Sequence, residues 1–498
     1  MNIAGWIRQR ASLDPGAPAI TDGELALDNG GFYHRMLSAS VFLRSLGIKT
    51  GDRVAVLLYN SSLFLELFFG CAHLGAICVP LNYRLVGAEL DYMIENSGSS
   101  LLISDPDFEE SLKSVGLDKA SILEPDRKTG KLYTTLDESE VADKARWRET
   151  EVGAETPLMI LYTSGTTGRP KGATLSHGNI LWNAIMHIHE GLLRERALLN
   201  APLFHVGGIN AIATQVLHGN GSLVIQRTFD PHEALELMEK EKITCMFGAP
   251  AMLDMMSRDP LFATTDFSNL RYLMVGSAPI PLKLIEKYHN KGIKIRQGYG
   301  LTEASPAACL LHDEYAMVKP GSCGREFFHL EIRIVDDAGR ELPRGDVGEL
   351  TIRGPNVMLG YWRDPKATEE TLRDGWLRTG DLARKDEEGF IYIVDRKKDL
   401  IISGGENIYP AEIEMILAQH KDVVEVAVIG VLDEKWGEVP KAYIIPEVDR
   451  KPEPPELIAF CSSRMAKYKI PKTFEFVEDL PRTGVGKVNK KVLRQKKS

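Results

Sequence analysis

Between Tyr162 and Gly172 the chain reads YTSGTTGRPKG, with four threonines and serines, three glycines and one lysine in eleven positions. Hydroxyls and an ammonium grip phosphate oxygens, and glycine lets main-chain N–H groups close on an anion. A Walker-type loop needs glycine, four residues and then Gly-Lys-Ser/Thr. Here Gly165 leads instead to Pro170, Lys171 and Gly172, and Pro170 lacks the N–H that such a cradle uses. The stretch points to polyphosphate chemistry of another design.

Elements must hold that loop in place. DRVAVLL from residue 52 reads as a buried strand, SLFLELFFGCAHLGA as a helix and ICVPLN as a second strand. The rhythm returns in LDYMIENSG with SLLISD and in PHEALELMEKEK with ITCMFGAP. Parallel α/β architecture is the economical reading. The phosphate-type loop then leaves a strand, Leu158 to Tyr162, at the sheet edge where open α/β folds bind ligands. Residues from about 126 to 156 read as a polar surface connection. HLEIRIVDD, GELTIRG and GFIYIVD alternate like short strands of a β-rich subdomain. Beyond the charged DRKKD, with a boundary near Lys398, the remainder has the length of a small α+β domain, and Ile413, Ile416 and Leu417 there follow helical spacing.

The whole chain sets limits on partners. Its 498 residues exceed one hydrophobic core, and a formal charge of -9 gives no reason to expect nucleic acid. MNIAGWIRQRASLDPG carries arginines where a secretory segment would be apolar, and no apolar run has membrane-spanning length. The amphipathic pattern of NIAGWIRQRA suits packing on the large domain. Cys71, Cys78, Cys245, Cys309, Cys323 and Cys461 are scattered without a C-x-x-C pair, which fits reduced thiols in a cytoplasmic protein. His187 and His189, one residue apart in a helix-like stretch, read as surface residues rather than metal ligands. A homo-oligomer is compatible with the sequence but not required by it.

YTSGTTGRPKG, PLFHVGG, VGSAPI, QGYGLTE, WLRTGD, DRKKDLIISGGENIYPAEIE and PRTGVGK occur in that order, and together they resemble the adenylate-forming enzymes, specifically their acyl-CoA synthetases. The resemblance implies an α/β large N-terminal domain, residues 1–397, with parallel-type sheets, helices and a small β-rich subdomain, and a small mobile α+β C-terminal domain, residues 398–498. It implies that ATP, Mg²⁺ and CoA serve to activate a small-molecule carboxylic acid, without stable membrane insertion. The acid attacks the α-phosphate of ATP, pyrophosphate leaves, and CoA then displaces AMP.

Residue roles follow from the resemblance. Thr163, Ser164, Gly165, Thr166, Thr167, Gly168 and Lys171 would wrap the β- and γ-phosphates. Gly276, Ser277 and Ala278 would line the adenine and acyl pockets, with Tyr299 against the adenine. Thr302 would meet the α-phosphate and Glu303 the Mg²⁺, a cation that takes oxygen ligands together with phosphate. Asp381 would accept from the ribose hydroxyls beside Arg396; Lys398 would be the hinge and Lys487 the cation of adenylation. Gly404 and Gly405 would form the turn over the pantetheine tunnel, while Trp436, Tyr468 and Lys472 would hold the CoA nucleotide.

The acid is less constrained. Amino-acid-activating relatives carry aspartate after the phenylalanine matching Phe204, whereas this chain has His205, which disfavours an α-amino acid and places His205 beside the substrate carboxylate or in the acyl pocket wall. Small and apolar neighbours, Val206 to Ile209, suit an aliphatic or aryl tail, and the overall pattern points to a fatty acid. Alternatives are an aryl-CoA ligase of the o-succinylbenzoate or benzoate type, an acyl-AMP ligase, and a non-catalytic nucleotide-binding protein on the same scaffold.

Overall fold

The β-α-β rhythm resolves into two large sheets in the computed structural model, which describes residues 2–113, 115, 121–125, 132–133, 150–163, 169–404, 406–448, 450–462, 464–483 and 487–495. One sheet has seven strands, ordered Gly360–Tyr361, Lys171–Ser176, Pro157–Thr163, Ile77–Pro80, Arg53–Leu57, Leu101–Ser104 and Ser121–Leu123. It is parallel from Pro157–Thr163 onward and antiparallel at the other end, where Pro157–Thr163 folds back on Lys171–Ser176. The other sheet has nine strands, with Ile295–Gly300, Tyr272–Val275, Cys245–Gly248, Arg196–Leu199, Ser222–Ile225 and Pro18–Asp22 running parallel through its middle. Most of the expected polar connection from 126 to 156 lies outside the described residues.

Helix Ser62–Leu74 explains why the sequence there is apolar on every face. All of its residues are buried, and it touches strand Ile77–Pro80 of one sheet and Pro18–Asp22 of the other. Ser61 caps it by accepting from the Phe64 N–H at 3.2 Å, and Gly75 ends it at φ 70°. Its one charge, Glu66, is fully buried and paired with Arg35 at 2.5 Å and with the Tyr133 hydroxyl. Helix Ala4–Leu13 packs as its amphipathic pattern predicts, through Ile3, Ala4 and Ile7, and its buried Arg10 donates to the Gly221 carbonyl at 2.7 Å.

A smaller five-stranded sheet joins Glu331–Val335, Gly348–Arg353, Trp376–Lys385, Leu372–Arg373 and Ile391–Arg396. A second five-stranded sheet combines Ile401–Ser403, Glu406–Ile408, Val423–Asp433, Gly437–Pro446 and Thr473–Phe476. Helices Pro410–Leu417 and Pro454–Ser462 cover it with Ile413, Leu417, Leu457 and Cys461, which pack with Ile401, Val428 and Ile444. Contact density divides the chain into Met1–Ile332 with Ile352–Leu377, and Arg333–Thr351 with Arg378–Ser498. All six cysteines are free and buried. Among the described residues no helix is long and apolar enough to cross a membrane.

Candidate functional site

The phosphate-type stretch falls between two antiparallel strands. Thr163 ends one strand, Lys171 begins the next, and the two are register partners. Ser164, Gly165, Thr166, Thr167 and Gly168 lie outside the described residues. Gly172 lets the strands close tightly, since a Cβ there would stand 2.6 Å from the Ile160 side chain.

Distant residues converge on the hairpin's base. Strand Ile295–Gly300 carries Tyr299 and is followed by the 3-10 turn Thr302–Ala304. That turn aims Glu303 at the hairpin, where Thr163 Oγ1 lies 3.3 Å from Glu303 Oε1. Gly300 permits the sharp exit, because a Cβ on it would sit 1.8 Å from the Pro306 carbonyl oxygen. A residue the sequence reading missed completes the group: Tyr361 donates its hydroxyl to Glu303 Oε1 at 2.9 Å, and Lys171 Nζ lies 5.1 Å from the centre of its ring. A hydroxyl, an ammonium and a carboxylate thus share one patch. Such a set suits a metal-bound polyphosphate, with the cation facing phosphate and the carboxylate facing metal.

Beside it is an apolar wall with little room in it. Gly276 follows strand Tyr272–Val275; Ser277 and Ala278 come next and are exposed, Ser277 with φ 73°. The Phe247 ring edge meets Gly276 on one side and Gly207 on the other. A Cβ on Gly207 would lie 2.8 Å from Phe247 Cε1, and one on Gly276 would lie 3.1 Å from Cε2. His205 caps the turn before Val206–Gly208, its Nδ1 accepting from the Gly207 N–H at 3.0 Å, so the neutral ring carries its proton on Nε2. The next residues, Ile209–Ala213, are wound as a π-helix, a form that recurs at functional sites.

The remaining expected residues belong to the second unit. Asp381 and Arg396 are register partners, with Arg396 Nε 3.4 Å from the buried Asp381 carboxylate. Gly404 has φ 59°, and a Cβ on it would stand 2.7 Å from the Trp436 indole, whose carbonyl accepts the Gly404 N–H at 2.7 Å. Gly405 lies outside the described residues. Trp436 is 44% exposed and covers the Gly404 turn rather than filling a core edge. Tyr468 and Lys472 are both exposed, Tyr468 within the 3-10 turn Lys467–Lys469. Lys487 is exposed, its carbonyl accepting from the Thr483 N–H at 2.7 Å.

Two other groupings are structural. The surface reading of His187 and His189 holds for His189 and fails for His187. The latter is 3% exposed, packs on Phe327 with ring centres 4.8 Å apart, and donates from Nδ1 to the Asn183 carbonyl at 2.8 Å. His420, Asp422 and Glu456 lie close enough to share an ion, but Lys421 and Arg450 already face the Asp422 carboxylate at 3.8 and 3.9 Å. His420 Nδ1 also accepts the Asp422 N–H at 3.3 Å, which leaves Nε2 protonated in the neutral ring.

Comparison with known proteins places this geometry. The profile of the AMP-binding enzyme family matches residues 7–362, and that of the AMP-binding enzyme C-terminal domain matches 412–487. The chain belongs to the AMP-binding enzyme family. It is 40% identical over 496 residues to a feruloyl-CoA synthase of an Amycolatopsis species, covering 99% of each chain. It is 36% identical over 516 residues to a long-chain-fatty-acid–CoA ligase of Mycobacterium tuberculosis, covering 100% of this chain and 99% of that one. Among solved structures, o-succinylbenzoate CoA synthetase from Bacillus subtilis in complex with ATP and magnesium ion superposes with a TM-score of 0.86 at 31% identity, over 99% of this chain and 98% of the other. The α/β architecture expected from the resemblance is therefore that of the family, and acid–thiol ligase is the class to which its whole-length relatives belong.

Proposed function

We propose that this AMP-binding enzyme is an ATP-dependent acid–CoA ligase whose acid carries an aryl group. The convergence of Thr163, Lys171, Glu303 and Tyr361 on one patch carries the first part of the reading. In the first half-reaction a carboxylate oxygen forms a bond to the α-phosphorus of ATP and the bond to pyrophosphate breaks. In the second, the CoA sulfur bonds to the acyl carbon, its proton is lost, and AMP leaves.

The chain's own residues divide this work. Lys171 and the loop hydroxyls, Thr163 and the segment Ser164 to Gly168 among them, hold the β- and γ-phosphates while pyrophosphate departs. Thr302 donates to the α-phosphate, Tyr299 stacks on adenine, and Asp381, held by Arg396, accepts from the ribose. Glu303 fits a hard metal: it offers oxygen beside the phosphate-binding lysine, and the two described hydrogen bonds to its carboxylate both fall on Oε1. Mg²⁺, when bound with ATP, neutralises phosphate charge. Lys487 supplies the cation for adenylation, and Gly404, Gly405, Trp436, Tyr468 and Lys472 receive CoA.

The acid class rests on Phe247. Its flat ring is bordered by Gly207 and Gly276, between the His205 turn and the end of strand Tyr272–Val275. A flat wall stacks a planar acid better than a flexible chain, since aromatic pairs gain beyond area alone. The 40% identity to the feruloyl-CoA synthase supports the same reading. A fatty acid is the second reading, supported by the apolar Val206 and Ile209 and by the fatty-acid ligase relative. Acid-dependent pyrophosphate exchange and thioester formation, measured with and without CoA over aryl and fatty acids of graded length, test both. Aryl acids are expected to show the higher kcat/KM, by about 10-fold or more. A preference for fatty acids overturns the aryl assignment, and AMP release without thioester in the presence of CoA overturns the ligase assignment.

A further inference from the structure

We propose that Tyr361 is a positioning residue of the nucleotide site, holding Glu303 through its hydroxyl and Lys171 through its ring. The proposal rests on the roles given to Glu303 and Lys171 above. Tyr361 and Glu303 are 58 positions apart, and their hydroxyl–carboxylate contact of 2.9 Å is the shorter of the two described hydrogen bonds on Oε1.

The tyrosine is itself fixed before it fixes anything. Gly360–Tyr361 pairs with Ala173 and Thr174, the Tyr361 N–H donates to Thr368 Oγ1 at 2.9 Å, and the Trp362 N–H donates to the Gly172 carbonyl at 2.7 Å. The Tyr361 hydroxyl points at the Glu303 carboxylate while its ring lies under the Lys171 ammonium. One residue, by main chain and side chain together, therefore spans the paired strands, the Thr302–Ala304 turn and the following helix Pro365–Thr371.

The consequence is preorganisation. Glu303 and Lys171 are both flexible side chains that would lose rotamer freedom on meeting metal and phosphate, and an outer partner that orders them beforehand removes that loss from binding. Neither group needs Tyr361 for its charge. Each needs it for its direction.

Two variants of the full-length protein separate the functions. Tyr361→Phe keeps the ring and deletes the hydroxyl; Tyr361→Leu deletes both. Mn²⁺ binding in the presence of ATP and without acid, followed by electron paramagnetic resonance, is expected to weaken about 10-fold in Tyr361→Phe, the scale of one hydrogen bond to a charged group. ATP binding without metal should stay near wild type in Tyr361→Phe and weaken in Tyr361→Leu. In pyrophosphate exchange the KM for Mg²⁺ should rise more than kcat falls. A merely structural tyrosine would lower the unfolding temperature without moving metal affinity, so thermal unfolding is recorded alongside; if Tyr361→Leu does not fold, Tyr361→Phe decides alone. Wild-type Mn²⁺–ATP affinity in Tyr361→Phe overturns the role of Tyr361 and leaves the ligase reading standing. Absence of Mn²⁺–ATP binding by the wild-type protein overturns both.

Discussion

Lys487 is separated from its basic neighbours by context rather than by charge. It ends the Pro481–Lys487 stretch, with Thr483 donating to its carbonyl at 2.7 Å beside an antiparallel bridge between Arg482 and Val488. A preorganised cation aimed at developing phosphoryl charge is worth about 3 to 4 kcal/mol. Lys487→Ala is therefore expected to slow acid-dependent pyrophosphate exchange by roughly 10² to 10³-fold. Exchange at the wild-type rate would remove Lys487 from the mechanism. At this scale the sequence offered candidates by chemistry alone: hydroxyls, glycines and a lysine suit phosphate wherever the fold puts them. Tyr361 was not, because its side chain gains meaning only where strand pairing lays it beside Glu303 and Lys171.

Helix His177–His189 shows what an element adds. It starts with a reciprocal cap, Ser176 Oγ accepting the Asn179 N–H at 3.1 Å and Asn179 Oδ1 accepting the Ser176 N–H at 2.9 Å. Residues two apart on a helix point about 200° apart, so His187 and His189 could not both face solvent once one side of the helix was packed. Burial lowers the His187 pKa to about 4 and that of His177 to about 3, below the ordinary 6.5. The unfolded chain then binds protons that the folded one refuses, so the stability these groups confer is complete above the unfolded value and is lost as pH falls from 6.5 toward 4. For His187 the loss amounts to about 3 kcal/mol. Thermal unfolding should drop steeply between neutral pH and about pH 4.5, and His187→Phe should flatten that dependence whatever it does to stability at neutral pH. An unchanged slope would show that His187 does not titrate on unfolding.

At the scale of the molecule, the two half-reactions need different groups, and the hinge expected to exchange them, Lys398, lies within the second compact unit. Lys398, proposed as the hinge, belongs to the short 3-10 segment Lys397–Asp399, whose Asp399 pairs with Arg494 at 2.7 Å and whose Lys397 pairs with Asp337 at 2.7 Å. Proline fixes φ and removes an N–H. Lys398→Pro should therefore keep one half-reaction within about 10-fold of wild type and depress the other by about 10²-fold or more. Pyrophosphate exchange and thioester formation from supplied acyl-adenylate, assayed separately, check this; two unchanged rates would refute the hinge.

The sequence by itself determined the β-α-β succession, the helical stripe of Ile413 and Leu417, and the order of polar and glycine-rich stretches, because hydrophobic period and side-chain chemistry act over a few residues. Only the tertiary structure decided that Tyr361 holds Glu303, that Phe247 is bordered by Gly207 and Gly276, and that His187 is buried. Those facts depend on contacts between segments tens of residues apart, whose register is set by packing across sheets rather than by any local pattern.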